Sequence, residues 1–190
     1  MNGPVVLVAG LRGDVEDHWQ SHLARTLPDV VVVDSFGRDQ ADLDGRIADL
    51  EAAVAGLTEP ATIVAHSAGV LVTVHWAART ARTAMIRGAV LATPPDLGRP
   101  LPAAYPTSME LARAGWLPVP AQPLPFPSVV GVSADDDLGD PVRVRALARA
   151  WGSAVEELGA VGHLNPASGF GPWPGALDLL ATLDELVVAR

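Results

Sequence analysis

The sequence predicts an α/β protein, with a doubly wound, mostly parallel sheet of about six strands and helices on both faces. Three observations predict it. Short β-branched runs alternate with longer helical patterns along the chain. Several of those runs are apolar without alternation, as strands covered on both faces require. A length of 190 residues, 49% hydrophobic and 18% charged, suits one domain over residues 1–190 with a sizeable core.

The expected strands are Pro4–Ala9, Val30–Val33, Ala61–Ala65, Ile86–Ala92, Ser128–Val132 and Ala154–Leu158. The first helix is expected over Glu16–Leu27, with Trp19, Leu23 and Leu27 on one face. Ala41–Leu57 and Ala68–Arg82 are the second and third. Pro141–Trp151 opens with Asp140 as N-cap and Pro141 at the first helical position, a well-formed start. Its expected apolar face is Val142, Ala146, Leu147 and Ala150. Ala176–Val188 closes the chain with Leu177, Leu180, Leu183 and Val187.

One segment breaks this rhythm. Thr93–Pro127 holds ten of the 17 prolines and no clear long helix. It follows a strand, so it starts at the carboxyl edge of the sheet, where ligands bind in open α/β folds. Tyr105, Trp116 and Phe126 offer it an apolar lining. The alternative is that it only covers the sheet edge.

The composition excludes several chemistries. All 13 basic residues are Arg, and Cys is absent. That rules out a Cys nucleophile, a Lys Schiff base, a Ser-Lys dyad, a P-loop Lys and a disulfide framework. No H-E-x-x-H occurs, and no G-x-G-x-x-G follows a strand, so zinc-protease and dinucleotide readings fail. A net charge of −9 with scattered arginines argues against nucleic acid and anionic membranes as partners. The first ten residues read as a strand and not a signal peptide, and Val70–Ala78 is too short to span a bilayer. A cytoplasmic protein with no cofactor is expected.

Ala65-His66-Ser67-Ala68-Gly69 lies between a β run and a helix. It approximates the G-x-S-x-G elbow, in which a Ser on a strained turn exposes its Oγ above the sheet. Ala65 stands where the pattern has Gly. The competing reading is an ordinary N-capping Ser at a βα turn. Downstream order favours the elbow, because acid and His should follow the Ser in that sequence. Strand Ser128–Val132 runs into Asp135-Asp136-Asp137, and strand Ala154–Leu158 leads through Gly159–Gly162 to His163.

Each part has a physical task. A Ser hydroxyl needs a base to take its proton, and an imidazole can accept that proton and return it to the leaving group. A carboxylate holds the useful tautomer. Two backbone N–H groups would bind the developing oxyanion, each worth about 3 kcal/mol. Ala68 supplies one. The loop Gly10-Leu11-Arg12-Gly13 supplies the other, with Leu11 the first choice.

A triple Asp is also a common solvated loop, or with Asp140 a divalent-metal site. No other ligand cluster accompanies it, so no metal is expected. His22 and His75 read as surface or core histidines, and His66 as structural. His18 and Trp19 follow the oxyanion loop closely and, with Pro94 and Phe126, are the candidate substrate-pocket residues. Trp76 and Trp173 are further aromatics for a pocket or for the core.

The ordered series of motifs resembles the small serine-hydrolase family of YdeN and retinoblastoma-binding protein nine, particularly its bacterial branch. The resemblance covers nearly the whole chain. It rests on Gly10–Gly13 with Asp17-His18-Trp19-Gln20, and on Ala65–Gly69 leading to His75-Trp76-Ala77. It continues through Ala92–Asp96, Leu124–Ser128, Ser133–Asp136, Gly162–Asn165 and Ser168–Pro174.

The resemblance implies a compact α/β-hydrolase without a large lid domain. It also implies Asp136 as the acid, from the second Asp of an Asp-Asp-Pro stretch, although Asp137 replaces that Pro here. The expected function is hydrolysis of a small carboxylic ester, ahead of a thioester or amide, through an acyl-Ser67 intermediate with Asp136 and His163. The alternative is a catalytically weak hydrolase scaffold that binds a protein partner.

Overall fold

The computed structural model describes residues 3–12, 15, 17–33, 35 and 37–189. Six strands form one parallel sheet: β1 (Val5–Val8), β2 (Val30–Val32), β3 (Ala61–His66), β4 (Ile86–Ala92), β5 (Ser128–Ser133) and β6 (Ala154–Gly159). Their spatial order is β2-β1-β3-β4-β5-β6. Every described pairing is parallel, more uniform than the mostly parallel sheet expected. The chain winds outward from β1 to β2, then returns to the other side of β1 as β3. This reversal opens a crevice at the carboxyl ends of β1 and β3, where open α/β sheets bind ligands.

The helices are α1 (Trp19–Thr26), α2 (Leu43–Ala55), α3 (Ala68–Ala77), α4 (Ser108–Arg113), α5 (Pro141–Trp151) and α6 (Gly175–Val188). They divide between the faces according to the period-two alternation of the strands. Val6, Val8, Ile63, Ala65, Ala89, Leu91, Val130 and Val132 face the cluster built by α2, α3, α4 and α5. Val5, Leu7, Val64, Val90, Ala92 and Val129 face α1 and α6. Strands buried on both sides need apolar residues at every position, which is why they read as continuous runs.

Helix ends depart from the sequence expectation where no cap holds them. The first turns expected at Glu16 and Ala41 give way to starts at Trp19 and Leu43, capped by His18 and Asp42. Glu16 itself lies outside the described residues. α3 stops at Ala77, short of Arg82, and α4 was not expected. A capping box between Thr107 and Glu110 starts that short helix inside the Pro-rich segment.

The start of α5 agrees with expectation, since Asp140 accepts from the N–H groups of Val142 and Arg143. Its buried face agrees only at Leu147, which is half-buried against the core. Val144, Ala148 and Trp151 are buried, whereas Val142 is 69% exposed. The two faces have the same spacing. Trp151 decides between them, because its ring fills the core and its Nε1 donates to the Pro120 carbonyl. In α6, Leu177 is likewise exposed, while Ala176, Leu179, Leu180 and Leu183 are buried.

Among the described residues, no helix is long and apolar enough to cross a membrane. The α5 assignment has a direct test in urea denaturation. Trp151→Ala is expected to cost about 3–5 kcal/mol, and Val142→Ala less than about 0.5 kcal/mol.

Candidate active site

Ser67 follows β3 directly and adopts φ 56°, ψ −128°. That region is rare for a residue with a Cβ and costs about 1–3 kcal/mol. An N-capping Ser would be extended and would accept from the helix N–H groups. Ser67 is not extended, and its side chain makes no cap hydrogen bond. Its Oγ lies 2.7 Å from His163 Nε2. The turn is the strained elbow and not an ordinary helix cap.

The tightness of the turn has a visible cause. A Cβ on Gly69 would sit 2.3 Å from the Val8 carbonyl oxygen and 2.7 Å from that of Ala9. The start of α3 therefore presses on the end of β1, and only glycine fits. Ala65, where the usual pattern has a glycine, is fully buried and its methyl joins the core.

His163 is held from four directions. Its Nδ1 lies 2.9 and 3.0 Å from the two carboxylate oxygens of Asp136. Its backbone N–H donates to Ser168 Oγ, and its carbonyl accepts from His66 Nε2 at 2.9 Å. An ionised carboxylate only accepts, so the imidazole proton belongs on Nδ1 and Nε2 is left to accept from the Ser67 hydroxyl.

The three adjacent aspartates separate cleanly. Asp136 is buried and also accepts from the Leu138 N–H at 2.8 Å. Asp135 is exposed, and its carboxylate accepts from the Gly162 N–H at 2.7 Å. Asp137 is exposed, and its carbonyl accepts from Arg99. Asp140 is occupied capping α5. The carboxylates of Asp135, Asp136 and Asp140 address different partners, and among the described residues no three His, Asp or Glu side chains converge as a metal site.

His66 is pushed well below the ordinary imidazole range, first by burial and then by neighbouring His163 and His18. It is neutral near pH 7 and donates from Nε2. The rings of His18, His66 and His163 form a row, with centroids 4.6 and 5.1 Å apart.

A cavity of about 280 Å³ opens beside Ser67 and is walled by Leu11, Arg12, His18, His66, Tyr105, His163 and Asn165 among others. A second recess, with only about 10 Å³ of free volume, meets it at Ser67 and Leu11. Ala68, Leu71, Leu97, Leu111, Trp116 and Leu138 enclose that recess. The Pro-rich segment thus walls both spaces, through Tyr105, Leu97, Leu101 and Trp116.

Leu11 lines the cavity beside Ser67, and α2 holds its carbonyl through Arg46 Nη2 at 3.2 Å. Ala68 is the first residue of α3, a position whose N–H has no intrahelical acceptor. Gly13 lies outside the described residues.

Three of the four candidate pocket residues are placed elsewhere. His18 lines the main cavity, its Nδ1 accepting from the Gln20 N–H. Trp19 turns into the core under α6, with its ring against His66 and Trp173. Phe126 is buried in the opposite core cluster. Pro94 is buried with its carbonyl against Gly139, and the next residue, Pro95, lines the small recess instead. Trp76 is core, donating to Glu51 at 2.7 Å. Sequence reasoning missed Gln20. Its buried amide donates to the Val8 and Val64 carbonyls, and the signal was a polar residue beside Trp19 on the buried face.

A family model described as serine hydrolase matches residues 5–182. The chain belongs to this serine hydrolase family. A YdeN-like hydrolase from Pectobacterium atrosepticum is 30% identical, covers 97% of this chain and 91% of its own, and superposes with a TM-score of 0.81.

The ydeN gene product of B. subtilis shares the fold at 19% identity, with 97% and 100% coverage and a TM-score of 0.69. A thermophilic esterase from Thermogutta terrifontis does so at 19% identity, 97% and 89% coverage and a TM-score of 0.64. No curated protein matches the sequence. The protein is a hydrolase of the α/β type and a YdeN-like member of its family.

The elbow of this serine hydrolase leaves no room for a methyl at Gly69. Gly69→Ala is expected to lower stability by about 3 kcal/mol, read as a reduced urea midpoint.

Proposed function

We propose that the protein hydrolyses small carboxylic esters through an acyl-Ser67 intermediate, with His163 as general base and acid and Asp136 as its orienting carboxylate. The observation that carries this reading is the unbroken hydrogen-bonded series. Ser67 Oγ is 2.7 Å from His163 Nε2, and His163 Nδ1 is 2.9 Å from Asp136.

Ser67 Oγ attacks the ester carbonyl and its proton passes to His163 Nε2. The oxyanion that forms is met by the Leu11 and Ala68 N–H groups. Collapse breaks the bond to the alcohol, which takes the proton from His163. Water then attacks the acyl-serine, gives a proton to His163 and releases the carboxylic acid. The same proton returns to Ser67.

The assignment of the two spaces follows from the proton's path. The leaving alcohol must reach His163 Nε2, so it occupies the cavity that His163 lines. The acyl chain takes the other side of Ser67. That recess has about 10 Å³ free, room for about one water-sized group. Acetyl fits and longer chains do not fit without displacing Leu71, Leu97 or Leu138.

A fluorophosphonate probe is expected to label the native protein and not Ser67→Ala; labelling that persists in the variant overturns the nucleophile. Steady-state kinetics on p-nitrophenyl acetate should show kcat reduced about 10⁶-fold in Ser67→Ala or His163→Ala, if the group acts as a unit. Asp136→Asn should lose about 10⁴-fold, and a larger loss in Asp135→Asn would mean the wrong acid has been assigned. Across p-nitrophenyl esters, kcat/KM is expected to fall about tenfold or more from acetate to octanoate. A rise with chain length would reverse the acyl-side assignment.

A further inference from the structure

We propose that the cavity beside Ser67 selects esters whose leaving alcohol carries a carboxylate, held by the guanidinium of Arg12. The inference rests on the ester-hydrolase reading and names the substrate class for that same site.

The cavity wall differs in sign from the protein as a whole. The chain carries 22 acidic residues against 13 basic ones. Yet no Asp or Glu is among the described residues that line this cavity, and Arg12 is the one permanently charged group there. Among the described residues, the leaving-group side of Ser67 therefore carries a positive charge and no negative one, within a strongly negative protein.

Arg12 itself differs from the arginines that meet acids. Arg38, Arg79, Arg82, Arg87, Arg143 and Arg145 each meet a carboxylate. No ion pair joins Arg12 to a described acidic residue. Its Cζ lies instead over the Tyr105 ring, 5.0 Å from the centroid. A cation held over a ring is attracted by the ring face and spends none of its N–H groups on a carboxylate, so they are left to donate. A carboxylate matches that planar fork with two parallel hydrogen bonds.

The rest of the wall agrees. Asn165 Oδ1 accepts from both the N–H and the hydroxyl of Ser168, so its NH₂ is the half left to donate. The free volume of about 280 Å³ is enough for a small ring or short chain with one carboxylate.

The test compares 4-carboxyphenyl acetate with 4-carbamoylphenyl acetate, which has the same shape without the charge. The native protein is expected to favour the carboxylate by about tenfold in kcat/KM. Arg12→Gln should bring that ratio to near one, and Arg12→Lys should keep part of it. A parallel measurement needs no turnover. Ser67→Ala should bind 4-hydroxybenzoate about tenfold more tightly than 4-hydroxybenzamide by calorimetry, and the double variant with Arg12→Gln should bind both equally.

The two readings fail separately. If neither ester is cleaved but the binding preference is present and depends on Arg12, ester hydrolysis is overturned and the Arg12 assignment stands. If both esters are cleaved at equal efficiency and the two phenols bind equally, the Arg12 assignment is overturned and ester hydrolysis stands.

Discussion

The pressure of Gly69 on the end of β1 is the constraint on which the rest of the site depends. With the Val8 carbonyl oxygen 2.3 Å from where a Cβ would be, α3 begins closer to the sheet than any other residue allows. The chain reaches that position only by turning sharply at Ser67, which accounts for the positive φ there. The same approach brings Gly10 against the serine, within 3.2 Å of its Cβ for any added methyl. The loop after β1 is thereby held beside the Ser67 hydroxyl. The strain is local, and it is offset by the apolar residues that α3 buries from Ala68 to Trp76.

The partners of Ser67 come from loops far along the chain, and more than one bond joins those loops. Asp135 accepts from the Gly162 N–H, one residue before His163. Asp136 meets the imidazole, and His66 donates to the His163 carbonyl across 97 positions of sequence. The loops after β3, β5 and β6 are therefore fastened together independently of the Ser67 contact. Burial keeps His66 neutral, so this last bond does not add a second positive charge beside His163 when the latter is protonated. A cationic His66 would oppose that protonation.

Much of this was legible in the sequence because it depends on periodicity and order. Parallel strands covered on both faces are continuously apolar, and the central strands β1, β3, β4 and β5 read that way, whereas β6 at the sheet edge carries Glu156 and Glu157. Ser67, the aspartate run and His163 could be placed because each lies just past a strand end. What a single sequence does not encode is the direction in which a side chain leaves a loop. Trp19 and Phe126 flank the site in sequence, yet both turn into the core. Asp135 and Asp136 are adjacent, and only burial separates the anchor of the loop from the partner of the imidazole. In α5, two faces of equal spacing compete, and the volume of Trp151 settles which one is buried. Arg12 was legible only as part of the oxyanion loop, because its role as cavity wall depends on Tyr105, which reaches it from the Pro-rich segment.

The two sides of Ser67 also differ in what would be needed to change them. The small recess is a continuation of the core. Leu71, Leu97, Leu111 and Trp116 belong to the same apolar cluster as the buried faces of α2, α3 and α5. Enlarging it means creating a void in packed protein, at about 2–5 kcal/mol for a Leu→Ala change. The larger cavity is walled by polar side chains and loop ends together, and among its described lining residues only Leu11 packs against that cluster. Substitutions at Arg12 or Asn165 leave the core intact. Under the assignment of acyl and alcohol sides drawn from His163, a fold built this way holds the acyl size nearly fixed. It leaves the identity of the alcohol as the property that side-chain replacement can tune.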